Sequence, residues 1–172
     1  MHKKLLFILL ITLTSLLSCT YLSDNATGTK DEPGITGYVV DQSDNRILVA
    51  SDQAQDLSES GGVSEYYEMI WFLNAPTDIQ CGDKVDIWYD TIDDSYPAKS
   101  TLQDYHIHDQ EPPEEAHLTS ADALKEALSK QSNHPSQIFA VRDIIFNKDH
   151  LQWTVYLFEI WSGEVVAIEV EE

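Results

Sequence analysis

The chain has 172 residues, of which 30 are Asp or Glu and 10 are Lys or Arg, so its formal net charge is −20. Such a charge opposes the phosphates of nucleic acids and anionic lipid head groups, which excludes nucleic acid as a partner. It is typical of a solvated surface that keeps a protein apart from its neighbours, or of one that collects cations.

Residues 1–18 have the organisation of a bacterial secretory signal peptide. Two lysines precede an apolar run from Leu5 to Leu17, which is too short to cross a ~30 Å hydrocarbon core as a helix. The sequence Leu16-Leu17-Ser18-Cys19 resembles the lipobox of bacterial prolipoproteins. That resemblance implies that Cys19 receives a diacylglycerol and anchors the mature chain to the extracytoplasmic face of the cell membrane. An ordinary secreted protein is the alternative.

Removal of the signal peptide also removes its two lysines, and the formal charge of the mature chain becomes −22. With Cys19 lipidated, Cys81 is the only thiol left, so an intramolecular disulfide is excluded. Cys81 precedes the turn-like pair Gly82-Asp83 without a nearby candidate base, which predicts a structural role. Residues 19–34 are polar and without periodicity, and they predict a flexible tether.

Residues 35–108 predict a small β-barrel, because short apolar or alternating runs are separated by turn residues. The expected strands are Ile35–Asp41, Arg46–Ser51, Glu65–Asn74, Lys84–Ile92 and Gln103–His108, and Asp93–Leu102 is expected to be irregular. Five short strands favour an open barrel of the oligonucleotide/oligosaccharide-binding (OB) type. Periodicity alone does not separate this barrel from a small sandwich.

Residues 109–118 contain adjacent prolines among acidic residues and predict a linker. Residues 119–172 predict an α+β module, one helix on three antiparallel strands. Thr119 and Asp122 have the spacing of a capping box at the start of that helix, and 133–135 end it. The expected strands are Ile138–Phe146, Leu151–Ile160 and Glu164–Val170. A module of this size is only marginally stable by itself, and we therefore expect it to pack against the barrel.

Several segments of the first domain occur in an order that resembles a family of small lipoproteins from Gram-positive bacteria, a domain of unknown function. They are Gly37–Asp41, Arg46–Val49, Ile70–Phe72, Gly82–Trp88 and Ser95–Ala98. The resemblance covers residues 35–108 and implies an OB-like barrel and a lipid anchor, with no established activity. The C-terminal module resembles, by pattern, the helix-plus-strands units of PepSY-type extracytoplasmic proteins.

A group of histidines and acids at the end of the first domain is a candidate site for a divalent cation. Its residues are His106, His108, Glu114, Glu115 and His117. Two histidines at alternate positions of a strand point to the same side, and imidazole with carboxylate suits Zn²⁺, Ni²⁺ or Cu²⁺. The alternative is a solvated, proline-stiffened linker with incidental histidines.

Aromatic residues on the expected strands are candidates for stacking on a ligand, in particular Tyr67, Trp71 and Trp88. Barrels of the OB type stack bases or sugars on such rings, and the negative charge leaves a sugar or a peptide as the expected ligand. Packing of these rings in the core is the alternative.

The sequence contains no glycine-rich phosphate loop, no HExxH motif and no nucleophile elbow, so we expect no cofactor and no enzymatic activity. The leading hypothesis is a membrane-anchored lipoprotein that binds an envelope protein or a cell-wall glycan. Binding of a divalent cation is the second hypothesis, and an uncharacterised hydrolase is the third.

Overall fold

The computed structural model describes residues 32–131 and 136–172. The expected signal peptide, the lipidation site at Cys19 and nearly all of the expected tether lie outside the described residues. In the part that is described, no helix has the length and apolar character needed to cross a membrane. Pro33–Glu172 form one compact unit.

The first half of this unit is a six-stranded sheet. Its strands are β1 (Ile35–Ser43), β2 (Arg46–Ser51), β3 (Met69–Leu73), β4 (Lys84–Trp88), β5 (Ala98–Thr101) and β6 (Asp104–Ile107). They lie in the order β5-β3-β2-β1-β4-β6, with every neighbouring pair antiparallel except the parallel pair β3 and β5. One face buries a core that includes Val39, Ile47, Ile70, Phe72 and Ile87.

The prediction of a mainly β chain is confirmed, and this region contains six short strands, one more than the five expected. The stretch 93–102, expected to be irregular, contains β5, which buries Ala98 and Ser100 on one side. Its short polar sequence carries no strand signal, and its pairing with β3, distant in the sequence, decides its conformation. Strands β5 and β6 form the two edges of an open sheet, not of a closed barrel.

The second half contains one helix and three strands among the described residues, as the sequence predicts. They are α1 (Ser120–Gln131), β7 (Phe139–Asn147), β8 (Gln152–Glu159) and β9 (Val165–Glu171), and the strands form an antiparallel sheet in the order β7-β8-β9. The expected capping box is present. The Asp122 amide donates to Thr119 Oγ1, and the Thr119 amide donates to Asp122 Oδ2, each at 3.1 Å.

The two halves share one apolar core. Leu124 of α1 and Trp153 and Leu157 of β8 belong to the same buried cluster as Leu48 and Met69 of the first sheet. The expectation that the C-terminal module packs on the first sheet is therefore confirmed. Burying each large side chain of this kind stabilises the fold by about 1.5–3 kcal/mol, which the small module could not gain alone.

A glycine turn allows this close packing. Gly82 precedes β4 with a φ of +100°, a conformation that disfavours other residues. A Cβ atom at this position would lie 2.4 Å from the carbonyl oxygen of Ala121 in the first turn of α1. The turn between the third and fourth strands therefore contacts the start of the helix directly, which only glycine permits.

Candidate functional site

Tyr67, one of the three residues predicted to stack on a ligand, is part of the core. Its side chain is 3% exposed, its ring lies 5.4 Å from that of Phe158, and its hydroxyl donates to Glu65 Oε1 at 2.9 Å. Burial raises the pKa of Tyr67 above its ordinary value, and the hydrogen bond to Glu65 raises it further. A stacking residue needs an exposed ring face, which Tyr67 does not have.

The other two predicted aromatic residues, Trp71 and Trp88, are half-buried. The guanidinium of Arg46 lies 4.8 Å from the centre of the Trp71 ring, a distance typical of a cation–π interaction. One face of Trp71 is therefore covered by a residue of the neighbouring strand β2.

A second group of aromatic side chains consists of two half-buried rings and one exposed ring. The rings of Tyr66 and Tyr96 lie 5.3 Å apart, and the rings of Tyr96 and Trp161 meet edge to face at 5.7 Å. Trp161 is 58% exposed, the equal highest value among the large hydrophobic residues that the structure describes as exposed. We call Tyr66, Tyr96 and Trp161 the aromatic surface.

Hydrogen bonds fix the positions of two of these rings. The Tyr96 hydroxyl donates to the carbonyl oxygen of Tyr67 at 2.9 Å, and burial raises the pKa of Tyr96 to about 12. The carboxylate of Glu159, which is 4% exposed, accepts hydrogen bonds from the amides of Trp161 at 3.2 Å and Ser162 at 2.7 Å. The turn that carries Trp161 is thus held by a buried charge.

The pKa of Glu159 reflects the strength of these hydrogen bonds. Burial by itself raises the pKa of Glu159, but the hydrogen bonds from Ser162, Ile138 and Trp161 outweigh burial, and the net pKa is lowered. A net lowering despite burial means that the folded protein stabilises the charged form.

Acidic groups lie close to the aromatic surface. Glu68 is half-buried, burial raises its pKa, and its charge contributes to the raised pKa of Tyr66. Glu65 is paired with Arg142 across a distance of 3.3 Å. The surface therefore combines one exposed and two half-buried aromatic rings with carboxylates, a combination that suits sugars and polypeptides.

Sequence reasoning placed Tyr66 among the aromatic residues of the expected strands, but it missed Tyr96 and Trp161, because the three members come from separate segments. Tyr66 precedes β3, Tyr96 precedes β5, and Trp161 lies in the turn between β8 and β9. Residues on strands were favoured as candidates, although an aromatic residue within a turn, as in Trp161-Ser162-Gly163, is the stronger signal of exposure.

The two predicted metal-ligating histidines lie together, His106 within β6 and His108 directly after it, beside a carboxylate that the sequence did not nominate as a metal ligand. The rings of His106 and His108 are 5.3 Å apart, and Asp86 of β4 is the direct cross-strand partner of His106. His108 Nε2 lies 3.1 Å from Asp86 Oδ2, and the Thr36 hydroxyl donates to Asp86 Oδ1 at 2.6 Å. We call Asp86, His106 and His108 the histidine cluster.

The charge of Asp86 is stabilised by this environment. Burial raises its pKa, but the hydrogen bond from Thr36 and the interactions with His108 and His106 outweigh burial, so the net pKa is lowered. Asp86 is thus a carboxylate with one oxygen engaged by Thr36 and the other directed at an imidazole.

The remaining members of the predicted cation site, Glu114, Glu115 and His117, are exposed. The backbone amide of His117 donates to the Glu172 carboxylate, which also accepts from Trp153 Nε1 at 2.6 Å. Within residues 32–131 and 136–172, no three His, Cys, Asp or Glu side chains are already arranged to hold a metal ion. The five-residue cation site stays a prediction.

Cys81 borders a cavity of about 640 Å³ between the turn after β1, the C-terminal half of α1 and the start of β7. Burial and the nearby Asp41 raise the pKa of the Cys81 thiol to about 11. A thiol with so high a pKa is largely protonated at neutral pH and is a poor nucleophile.

The described residues thus form a mainly β structure with two candidate sites, the aromatic surface and the histidine cluster. Residues 36–109 match the model of a family described as protein of unknown function (DUF3221). The resemblance of this region to a domain of unknown function is thereby confirmed. The match covers β1 except its first residue, β2 to β6 and the histidine cluster, less than half of the chain. No curated protein and no solved structure matches the chain.

Proposed function

We propose that this chain is a lipid-anchored, non-enzymatic binding module on the extracytoplasmic face of a bacterial cell membrane. The observation that carries the proposal is the aromatic surface, three contacting rings with Trp161 largely exposed on an otherwise strongly acidic chain. Exposed aromatic residues of this kind are the usual anchors of binding surfaces. The partner is an envelope protein or a cell-wall glycan.

The chemistry of the aromatic surface supports such a partner. Ring faces contact apolar side chains and the C–H groups of sugars equally well, and nearby carboxylates such as Glu68 accept hydrogen bonds from hydroxyl, amide or ammonium groups. A net charge of −20 disfavours a polyanionic partner, so a neutral or basic one is expected.

The layout of the first sheet supports an OB-like arrangement as the scaffold. Only Leu102 and Gln103 separate β5 from β6, and their amides donate to the carbonyl oxygens of Leu73 in β3 and Trp88 in β4. We propose that β5 and β6 act as one bent fifth strand that bridges β3 and β4, which is the connection that an OB-type barrel requires.

The lipid anchor is tested by the intact mass of the protein extracted from membranes, with Cys19→Ala as the comparison. A chain that starts at residue 19 and carries the added mass of a diacylglycerol, absent from the variant, supports the anchor. A secreted chain without added mass in the wild type contradicts the proposed location.

Binding through the aromatic surface is tested by crosslinking on intact cells, with a photoreactive amino acid in place of Trp161. A matched control carries the same group in place of Ile92, which is 44% exposed and lies outside the aromatic surface. A partner or glycan captured from position 161 but not from position 92 supports the proposal. Equal capture at both positions, or none at either, contradicts it.

A second candidate function, binding of a divalent cation, is favoured by the histidine cluster. The rings of His106 and His108 lie 5.3 Å apart, and His108 lies 3.1 Å from the Asp86 carboxylate. The negative charge of the chain also concentrates cations near its surface.

A further inference from the structure

We infer that Asp86, His106 and His108 form a binding site for a divalent first-row transition-metal ion, without the glutamates of the acidic linker. The inference deepens the second candidate function and rests on it. It assigns one ligand to β4, one to β6 and one to the residue that follows β6, whereas the segment 109–118 contributes none.

The first observation is a buried imidazole nitrogen that makes no well-formed hydrogen bond. Among the described residues, His108 Nε2 is the one buried side-chain nitrogen or oxygen that has no hydrogen-bond partner. Its closest acidic neighbour is Asp86 Oδ2 at 3.1 Å, an ion-pair distance without the alignment of a hydrogen bond. Buried polar atoms are nearly always satisfied, and an ion is one of the recognised partners of those that are not.

The second observation is the spacing of the donor atoms. Bonds of about 2.1 Å from one Zn²⁺ ion to an imidazole nitrogen and to a carboxylate oxygen place these two atoms roughly 3 to 3.4 Å apart. The measured 3.1 Å between His108 Nε2 and Asp86 Oδ2 falls within that range. An ion between the two atoms would therefore require little movement of either side chain.

The third ligand is His106, which lies opposite Asp86 in the ladder and on the same side of the strand as His108. Its side chain is exposed, so a rotation of the ring towards Asp86 would not disturb the core. Such a rotation would give the ion three protein ligands in place of the two that now lie close together. Water completes the coordination, as in open zinc and copper sites.

The surroundings orient the carboxylate. The Thr36 hydroxyl holds Asp86 Oδ1 at 2.6 Å and leaves Oδ2 for the ion, which is the role of an outer-shell hydrogen bond in metal sites. The nearby ammonium of Lys84 does not compete for Asp86, because it is paired with Asp52 at 2.7 Å. Imidazole and carboxylate together select Cu²⁺, Zn²⁺ or Ni²⁺ over Mg²⁺, and Cu²⁺ is expected to bind most tightly.

The test is titration of the full chain carrying Cys19→Ser with Cu²⁺, Zn²⁺ and Ni²⁺ by calorimetry, in the presence of excess Mg²⁺. We expect one Cu²⁺ per chain, with paramagnetic resonance showing two coupled nitrogens and only one after His106→Ala. His108→Gln and Asp86→Asn should weaken binding by more than about tenfold, and Thr36→Val by about tenfold. Circular dichroism verifies that each variant is folded.

The control variants are His117→Ala, His150→Ala and the double variant Glu114→Gln/Glu115→Gln, which should retain the wild-type affinity. If binding is lost in these controls but kept in Asp86→Asn and His106→Ala, the assignment of the ligands is wrong, although the chain still binds a cation. If the wild type binds none of the three ions, both the site and the second candidate function are wrong.

Discussion

Replacing Glu159 with glutamine should destabilise the protein and loosen the turn that carries Trp161. The Glu159 carboxylate is 4% exposed and accepts from the amides of Trp161 at 3.2 Å, Ser162 at 2.7 Å and Ile138 at 3.4 Å. A hydrogen bond to a charged group contributes about 1 kcal/mol more than a neutral one. Two well-formed bonds therefore make the cost of Glu159→Gln about 2 kcal/mol, or about 6 °C in Tm for a domain of this size.

The pH dependence of this loss follows from the lowered pKa of Glu159. A carboxyl group with a lower pKa in the folded state contributes stability that is fully present above its unfolded pKa of about 4.3. That contribution is lost as the pH falls through the folded pKa. The difference in unfolding free energy between wild type and Glu159→Gln should thus be greatest near pH 7 and shrink below about pH 4.

Urea unfolding, followed by tryptophan fluorescence at neutral and at acidic pH, measures both the loss of stability in Glu159→Gln and the dependence of that loss on pH. Glu164→Gln is the matched control, because Glu164 lies in the same turn with an exposed side chain, and its substitution should change stability by less than about 0.5 kcal/mol. A Glu159→Gln variant as stable as the control at pH 7, or a difference that does not shrink in acid, would refute the argument.

Three further predictions concern packing and reactivity. Gly82→Ala should lower the unfolding free energy, measured by thermal unfolding, by about 2 kcal/mol or more, because it adds a 2.4 Å clash with Ala121 to an unfavourable φ. Gly61→Ala is the control, because it has the unfavourable φ alone, and it should lower the unfolding free energy by about 1 kcal/mol. Leu124→Ala, at a site with 0% exposure, should cost about 3 kcal/mol in urea unfolding, and Leu151→Ala, at 49% exposure, under about 1 kcal/mol; equal losses would place the core elsewhere. In a Cys19→Ser background, Cys81 should react with iodoacetamide at pH 8 about two orders of magnitude more slowly than an ordinary cysteine, because its pKa is about 11. A reaction rate similar to that of glutathione would instead show that the Cys81 thiol is accessible and activated.

Local patterns in the sequence are sufficient for most of the secondary structure. The capping box at Thr119 and Asp122 and the alternation in β8 depend on neighbours within a few residues, and both are present as expected. Strand β5 has no such local signal, since Ala98–Thr101 is short and polar, and its conformation depends on pairing with β3.

The candidate sites show the same difference between residues that a local pattern indicates and residues that only long-range contacts bring together. The sequence indicated His106 and His108 as a pair, because alternation along a strand is a local property. It could not indicate Asp86, which lies 20 residues away and reaches the pair only through the β4–β6 register. It also nominated Tyr67 as a stacking residue, although the packing of Phe158 against the ring places Tyr67 in the core.

The sequence by itself therefore determined the mainly β character, the helix with its cap, the negative charge and the similarity of residues 36–109 to a family of unknown function. Only the tertiary structure decided which aromatic rings reach the surface, which carboxylate accompanies the histidines and how the two halves share a core. The physical reason is that composition, capping and alternation act over a few residues. The contacts that build a site join segments whose separation along the chain carries no local signal.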